Sequence, residues 1–262
     1  MTTAIHVLRD EARAEVAHVV LDRPEKLNAL DLAAWRRLAE VFRELDADPD
    51  LRCIVLRGVD ARAFAAGADI SAFARERADV EQARIYAHTM HAAMEAVMSC
   101  RHPVVAAIRG VCVGGGLELA CACDLRIAGT GSRFGVPVKR LGLTMSYREL
   151  QVLLRLVGPA HAAEILLEGR IFGAERAREM GLVNRVVPDE RVMDEVAETC
   201  ARIAEGSPLV ARWHKKFIRR LLDPTPLAPH EIEEGFAALA TEDYRRGVRA
   251  FLARTEPEFT GE

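Results

Sequence analysis

The spacing of hydrophobic and polar residues in the first half of the chain predicts strands that alternate with helices. Val16–Leu21 and residues 53–57 are short runs rich in β-branched and other apolar residues, which is typical of buried strands. Between them, Asp31 can cap a helix that continues to about Leu45. The inward face of that helix would carry apolar residues at helical spacing, namely Leu32, Trp35, Leu38, Val41, Phe42 and Leu45.

The alternation continues to the middle of the chain. Residues 80–100 predict a long amphipathic helix, which His102 and Pro103 would end. Val104–Ile108 and residues 125–128 predict two further strands. Strands and helices at such short spacing favour an α/β core.

After Ser146 the pattern becomes almost wholly helical. Glycine and proline residues divide it into segments, and only residues 182–187 predict a strand. A proline-containing stretch at 224–229 has the composition of a linker into a last pair of helices at about 230–254. We therefore place a core domain at residues 1–205 and a C-terminal helical region at 206–262. That region either supports assembly or packs back on its own core.

Composition and charge narrow the class of protein. The chain has 262 residues, of which 50% are hydrophobic, enough for one large domain or one domain with a small appendage. The net charge of −3 gives no reason to expect binding to nucleic acid, and no apolar run reaches the roughly 18 residues of a membrane span. The N-terminus lacks a secretory signal pattern, and the six cysteines lie mostly in apolar runs. We therefore expect buried thiols in a reducing cytoplasm.

The most informative segment covers residues 110–120. Three consecutive glycines, Gly114, Gly115 and Gly116, leave backbone N–H groups open to a ligand, and the residues after them predict the start of a helix. A helix N-terminus directs N–H dipoles at negative charge. Glu118 follows closely enough to act on the group that those dipoles polarise. The segment therefore predicts half of an anion hole with a candidate acid/base beside it.

A second loop of small residues follows the strand at 53–57. Its sequence over residues 63–70 is AFAAGADI, which again leaves the backbone open to a ligand. Two such loops, each after a strand, can converge at one edge of a sheet. Either loop alone is more often an ordinary turn, but together they suggest the two halves of one anion hole.

Both loops resemble those of the enoyl-CoA hydratase/isomerase (crotonase) superfamily. The resemblance covers essentially the whole chain, in segments at residues 21–30, 64–69, 110–124, 134–135, 174–183 and 242–251. It implies an α/β fold with a crotonase-like ββα superhelix core and a C-terminal helical trimerisation region. It also implies assembly as a homotrimer or as a hexamer of two trimers.

The resemblance implies an acyl-CoA thioester substrate, with coenzyme A as part of the substrate and no separate cofactor or metal. The backbone N–H groups of Ala68 and Gly115 would form an oxyanion hole, in which two preorganised donors stabilise a thioester enolate. Glu118 would be the acid/base, with its pKa raised by an apolar pocket. The alternative for Glu118 is a favourable interaction with the helix dipole alone.

The resemblance also implies where coenzyme A would bind. The expected contacts lie in the first turn, the small-residue loop and the C-terminal tail, at Arg23, Lys26, Leu27, Ala66, Ala68, Asp69, Ile70 and Arg254. Arg254 would come from a neighbouring subunit. Its alternative, as for Arg23 and Lys26, is a solvated surface charge.

The chain departs from the family where hydratases carry a second glutamate. Val138 occupies that position, and valine cannot transfer a proton. Hydration needs two acid/base groups around one water molecule, so one of the two is missing at this position. Ser146 stands where other branches of the family have an aspartate, and it can instead cap the following helix. We name Ser146, Tyr147 and Glu149 as auxiliary candidates from the start of this helix.

Three functions stay open on the sequence. The first is enoyl-CoA hydratase/isomerase-type chemistry in fatty acid metabolism. The second is another enolate reaction, such as decarboxylation, dehydration or hydrolysis, on a branched, aryl or carboxylated acyl-CoA. The third is a CoA-binding or assembly protein with little catalysis. His88 and His91 have metal-ligand spacing but no evident third ligand, so they are expected to be surface or core polar residues.

Overall fold

The computed structural model describes residues 4–262, in which ten strands form two sheets. In chain order the strands are β1 Ile5–Arg9, β2 Val16–Leu21, β3 Cys53–Gly58, β4 Ala63–Ala65, β5 Val104–Ile108, β6 Val111–Val113, β7 Leu125–Gly129, β8 Arg133–Gly135, β9 Phe172–Gly173 and β10 Arg185–Val187. The larger sheet has the order β1-β2-β3-β5-β7-β10, and the smaller has the order β4-β6-β8-β9. Only the β1–β2 and β8–β9 pairs are antiparallel among these strands.

Ten α-helices surround the sheets in the described part of the chain. They are α1 Leu32–Asp46, α2 Phe73–Glu76, α3 Val80–Ser99, α4 Gly115–Ala122, α5 Tyr147–Ala163, α6 Ala174–Glu179, α7 Val192–Ala204, α8 Pro208–Leu221, α9 Pro229–Glu234 and α10 Glu242–Ala253. The predicted cap of α1 is confirmed, because the Asp31 side chain accepts a hydrogen bond from the Ala34 backbone N–H at 2.9 Å.

The central strands of the larger sheet, β2, β3, β5 and β7, are mostly buried on both faces, as parallel strands between helical layers require. Alternate residues of β3 point in opposite directions. Ile54 and Leu56 join the main core with Trp35 of α1, whereas Val55 packs in a second cluster with Val196 of α7. The predicted α/β class is therefore confirmed. All six cysteines are buried free thiols.

The strand predicted at residues 182–187 is wrong in its first half. Gly181 takes a left-handed conformation (φ 77°) after α6, and the Leu182 N–H donates to the Ala177 carbonyl at 2.9 Å. Leu182 and Val183 are buried in this helix-ending turn, so their hydrophobicity reflects burial rather than strand pairing. Only Arg185–Val187 pairs in the sheet.

The C-terminal helical region packs partly on its own core. Lys215 of α8 is buried and donates to the Asp124 carboxylate at 2.7 Å and to the His102 carbonyl at 2.9 Å. The region also exposes large apolar side chains on α8 and α10 and between them, at Ile218, Leu221, Leu222, Phe236, Leu239, Phe251 and Leu252. The domain boundary near residue 205 stays a prediction.

One segment within residues 4–262, Tyr147–Glu168, is long and apolar enough by length and composition to cross a membrane. Those two criteria are weak evidence for a span. Here Gly158 breaks the helix with a left-handed backbone (φ 70°), followed directly by Pro159. Each of the two pieces is shorter than the roughly 20 residues that a helix needs to span a bilayer.

Candidate active site

A cavity of about 460 Å³ lies where the two small-residue loops meet α3 and the start of α5. Its size suits a small-molecule ligand. Its wall is mainly apolar, and the predicted residues Ala66, Ala68, Ile70, Gly115, Glu118, Ser146 and Glu149 all lie along it. A second cavity of about 450 Å³ lies on the other side of His91, between α3, α5 and α8, and contains none of these seven residues. We therefore take the first cavity as the candidate active site.

The two glycine-containing loops meet at Gly67 and Gly115, as the sequence predicts. A Cβ atom placed on Gly115 would lie 3.7 Å from the Ala68 nitrogen, and one placed on Gly67 would lie 3.0 Å from the Gly115 nitrogen. Both Gly67 (φ 93°) and Gly114 (φ 53°) adopt backbone conformations that L side chains rarely reach. Glycine is therefore needed both for the turns and for the close approach of the two chains.

The backbone N–H groups of Ala68 and Gly115 are available to a ligand. Leu30 forms a parallel bridge with Ala68, but its hydrogen bonds go to the two neighbours of Ala68. The Leu30 N–H donates to the Gly67 carbonyl, and the Asp69 N–H donates to the Leu30 carbonyl. The N–H of Ala68 therefore faces away from Leu30, and within residues 4–262 no backbone acceptor takes it. Gly115 is the first residue of α4, where N–H groups have no partner within the helix.

Two buried aromatic residues, Trp35 and Tyr86, support this pair of N–H groups. Trp35 packs under Gly115, with its ring 3.3 Å from the position of a Gly115 Cβ. The Trp35 indole donates to the Tyr86 hydroxyl at 2.8 Å, and that hydroxyl donates to the Leu30 carbonyl at 3.1 Å. Burial raises the pKa of Tyr86 to about 12, so it stays a donor. Hydrogen bonds through Tyr86 to Leu30, together with the packing of Trp35 against Gly115, therefore support both loops.

Glu118 lies on the first turn of α4 and is only 8% exposed. Its carboxyl group has no hydrogen-bond partner among the described residues. Burial, followed by the nearby charge of Glu149, raises the pKa of Glu118 to about 8, while the charge of Arg77 partly opposes this effect. Glu118 is therefore mainly protonated at neutral pH and close to its titration point.

Glu149 is a second acidic group on the same cavity, and His91 and Ser146 hold its carboxylate by hydrogen bonds. Its carboxylate contacts the His91 Nε2 atom at 2.8 Å and accepts from the Ser146 backbone N–H at 2.6 Å. The Ser146 hydroxyl lies 3.2 Å from the same His91 nitrogen. Burial alone would raise the pKa of Glu149, but the bonds to His91 and Ser146 outweigh it and lower that pKa below its ordinary value. The pKa values of the two carboxyl groups of the cavity are thus shifted in opposite directions, upward for Glu118 and downward for Glu149.

The structure separates the three auxiliary candidates. Glu149 and Ser146 line the cavity, whereas Tyr147 is 93% exposed and does not line the cavity of its own chain. A role for Tyr147 in the site stays a prediction. Successive helical residues point about 100° apart, and two positions therefore suffice to turn Glu149 inward when Tyr147 faces outward. Val138 also lines the cavity, and it adds an apolar side chain where the family has its second glutamate.

Three of the charged residues predicted to bind CoA, Arg23, Lys26 and Asp69, are already paired with one another. Arg23 and Lys26 contact the buried Asp69 carboxylate at 2.9 and 3.2 Å, and Ser71 donates to it at 2.6 Å. Burial alone would raise the pKa of Asp69, but its bonds to Ser71 and Lys26 and the charge of Arg23 lower it to about 2. This network ties the first turn to the small-residue loop. Contact of Arg23, Lys26 and Asp69 with CoA stays a prediction.

The remaining predicted CoA contacts divide between the cavity and the tail. Ala66, Ala68 and Ile70 line the cavity, and Leu27 holds the adjacent turn because its carbonyl accepts from the Ala66 N–H at 2.9 Å. Arg254 follows α10 in a left-handed conformation and is exposed, and it does not line the cavity of its own chain. Its contact with CoA stays a prediction.

Sequence reasoning missed two residues of the site, His91 and Arg77. The sequence predicts a surface or core polar residue at His91, which directly follows the buried Met90 on α3. That position was the available signal. His88 is exposed, and residues 4–262 contain no group of three or more His, Cys, Asp or Glu side chains that could hold a metal ion. No sequence pattern indicated that Arg77 belongs to the site. Arg77 ends α2 and lines the cavity.

Comparison with known proteins identifies the family to which the chain is similar. The enoyl-CoA hydratase/isomerase family model matches residues 11–262. A crystal structure of an enoyl-CoA hydratase/carnithine racemase from Magnetospirillum magneticum is 48% identical and covers 100% of this chain and 97% of its own, with a TM-score of 0.96. A probable enoyl-CoA hydratase of Mycobacterium tuberculosis is 35% identical over 98% of this chain and 97% of its own length. A peroxisomal Delta(3,5)-Delta(2,4)-dienoyl-CoA isomerase of Arabidopsis thaliana is 30% identical over 97% and 96%. Because these matches span the chain almost from end to end, the crotonase fold is confirmed and the chain belongs to the enoyl-CoA hydratase/isomerase family.

Proposed function

We propose that the protein catalyses an enoyl-CoA hydratase or isomerase reaction on an acyl-CoA thioester. The observation that carries this proposal is a pair of carboxyl groups, Glu118 and Glu149, that face one apolar cavity and titrate apart. Two carboxyl groups whose environments separate their pKa values are suited to act as acid and base together. Glu149 thus supplies from α5 the second carboxylate that is absent at Val138.

The thioester carbonyl would accept hydrogen bonds from the Ala68 and Gly115 N–H groups. These donors would stabilise the negative charge that collects on the carbonyl oxygen when an enolate forms, more than they stabilise the neutral thioester. Removing a single donor of this kind from an enzyme costs about 3 kcal/mol of transition-state stabilisation. Because the donors are backbone groups, Trp35 and Tyr86 would keep them in place.

Protons would move between the substrate and the two carboxyl groups. In hydration, ionised Glu149 would take a proton from a water molecule whose oxygen bonds to Cβ, and protonated Glu118 would give a proton to Cα. In isomerisation, an ionised carboxylate would remove a proton from Cα and a protonated one would return a proton to Cγ. His91 would keep Glu149 ionised, so that it can take the proton from the water molecule in hydration.

The substrate would bring coenzyme A with it, and no further cofactor enters either reaction. Ala66, Ala68 and Ile70 would contact the coenzyme A portion near the cavity. We further propose that the protein forms a homotrimer or hexamer, in line with the exposed apolar residues of its C-terminal helices. Arg254 of a neighbouring subunit would then approach the CoA phosphates.

Substitution of each carboxyl group tests the proposed reaction. We expect Glu118→Gln and Glu149→Gln each to lower kcat by about 10² to 10⁴, because each removes one proton-transfer group. The measurement is steady-state turnover on 2-enoyl-CoA and 3-enoyl-CoA substrates of several chain lengths. Tyr147→Phe is the matched control from the same turn of α5, and its kcat should equal that of the wild type.

Other outcomes would favour the two remaining functions. Turnover that depends on Glu118, but only with saturated branched, aryl or carboxylated acyl-CoA substrates, would replace hydration and isomerisation with another enolate reaction. A Glu118→Gln variant indistinguishable from the wild type in every assay, with acyl-CoA binding retained, would leave only a CoA-binding or assembly role.

A further inference from the structure

Arg77 is a charged residue of the cavity that the proposed proton transfers leave unused. It ends α2, where its backbone N–H donates to the Phe73 carbonyl at 2.8 Å. Its guanidinium carbon lies 3.8 Å from the centroid of the Tyr86 ring and 4.8 Å from that of Phe73. Stacking on two aromatic rings orients the guanidinium group without using any of its N–H donors.

Within residues 4–262 the Arg77 side chain forms no hydrogen bond or ion pair with an acceptor, and its Nε atom is buried without a partner. A buried donor left unpaired destabilises the fold, and an unpaired charge does so more strongly. Such a group is usually matched by a ligand or water when it faces a cavity. The guanidinium fork fits a carboxylate with two parallel hydrogen bonds.

The acidic groups of the cavity do not neutralise Arg77. Glu118 carries its proton at neutral pH, and Glu149 is engaged by His91 and Ser146. Arg140 also lines the cavity and adds a second positive charge. The cavity therefore offers a positive charge to its ligand, which favours an anionic group and disfavours a cationic one such as a quaternary ammonium.

We propose that Arg77 binds a carboxylate at the far end of the acyl group, so that the substrate is a CoA thioester of a dicarboxylic acid. The inference rests on the proposed function, because it requires the acyl group to lie in the cavity beside Glu118. The position of Arg77 supports it. Arg77 lines the same cavity as Glu118, the group that would face the reacting carbons.

Binding measurements with freshly prepared saturated thioesters, which have no C=C bond to hydrate or move, test this assignment apart from catalysis. Succinyl-, glutaryl- and adipyl-CoA are compared by calorimetry with butyryl-, pentanoyl- and hexanoyl-CoA, which have the same numbers of carbons and no carboxylate. We expect at least one diacid thioester to bind about tenfold or more tightly than its uncharged counterpart. Arg77→Met should abolish this preference, and Arg77→Lys should retain part of it.

The matched control is Arg75→Met, which removes the same charge from an exposed position of the same helix. It should leave the preference unchanged. The inference is overturned if the wild type binds the diacid thioesters no more tightly than the uncharged ones. It is also overturned if Arg77→Met weakens free CoA and all the thioesters equally, since Arg77 would then serve the CoA portion. Failure of every thioester to bind would instead refute the proposed function itself.

Discussion

At the scale of one residue, the burial of the Glu118 carboxyl group has a cost in stability. Its pKa is about 8 in the folded protein and 4.5 is the ordinary value, so the unfolded chain releases this proton at lower pH than the folded one. The free energy of unfolding therefore falls as the pH rises from about 4.5 to 8. We expect Glu118→Gln to be more stable than the wild type by an amount that grows by roughly 3 kcal/mol between about pH 5.5 and 8.5. Urea unfolding at both pH values measures it.

Glu149→Gln should change the free energy of unfolding in the opposite direction. The pKa of Glu149 is lowered by folding, so its ionised form stabilises the native state above its ordinary pKa, and that contribution is lost as the pH falls. The Gln variant should therefore be less stable than the wild type at neutral pH. A stability difference between Glu118→Gln and the wild type that does not change with pH would contradict the burial of an unpaired carboxyl group at this site.

At the scale of helices and loops, local patterns predicted much of the site, whereas contacts between distant elements could not be predicted. The glycines at 114–116 and the loop at 63–70 place α4 and the two N–H groups, because φ angles and helix starts depend on neighbouring residues. The bond between His91 and Glu149 joins residues 58 positions apart. It depends on how α3 packs against the start of α5, and periodicity within either helix carries no information on that packing.

The contact between α3 and α5 yields a prediction for the pH dependence of activity. His91→Gln removes an interaction that lowers the pKa of Glu149, so that pKa should rise. The acidic limb of the kcat/KM profile should consequently move to higher pH, whereas a purely structural role for His91 would lower the rate equally at every pH. The control is His88→Gln, nearly one turn earlier on α3 and exposed, which should leave the profile in place.

At the scale of the whole molecule, the C-terminal helices present more apolar surface than one chain covers. Phe251 and Leu252 at the end of α10 are 83% and 77% exposed, and such clusters mark interfaces. We expect light scattering to show a homotrimer or hexamer for the wild type and monomers for Phe251→Glu. Val80→Glu, at an exposed apolar residue of α3, should keep the wild-type mass. A monomeric wild type would contradict the prediction.

The same assembly decides whether Arg254 can reach coenzyme A. Arg254 does not line the cavity of its own chain, and it lies just beyond Phe251 in the exposed end of the tail. If it acts across the interface, Arg254→Met should weaken CoA binding without changing the mass of the oligomer. Phe251→Glu should weaken CoA binding to a similar extent because it separates the subunits. Combining the two substitutions should then add nothing, since each removes the same contact. Additive losses would instead assign Arg254 a role within its own chain.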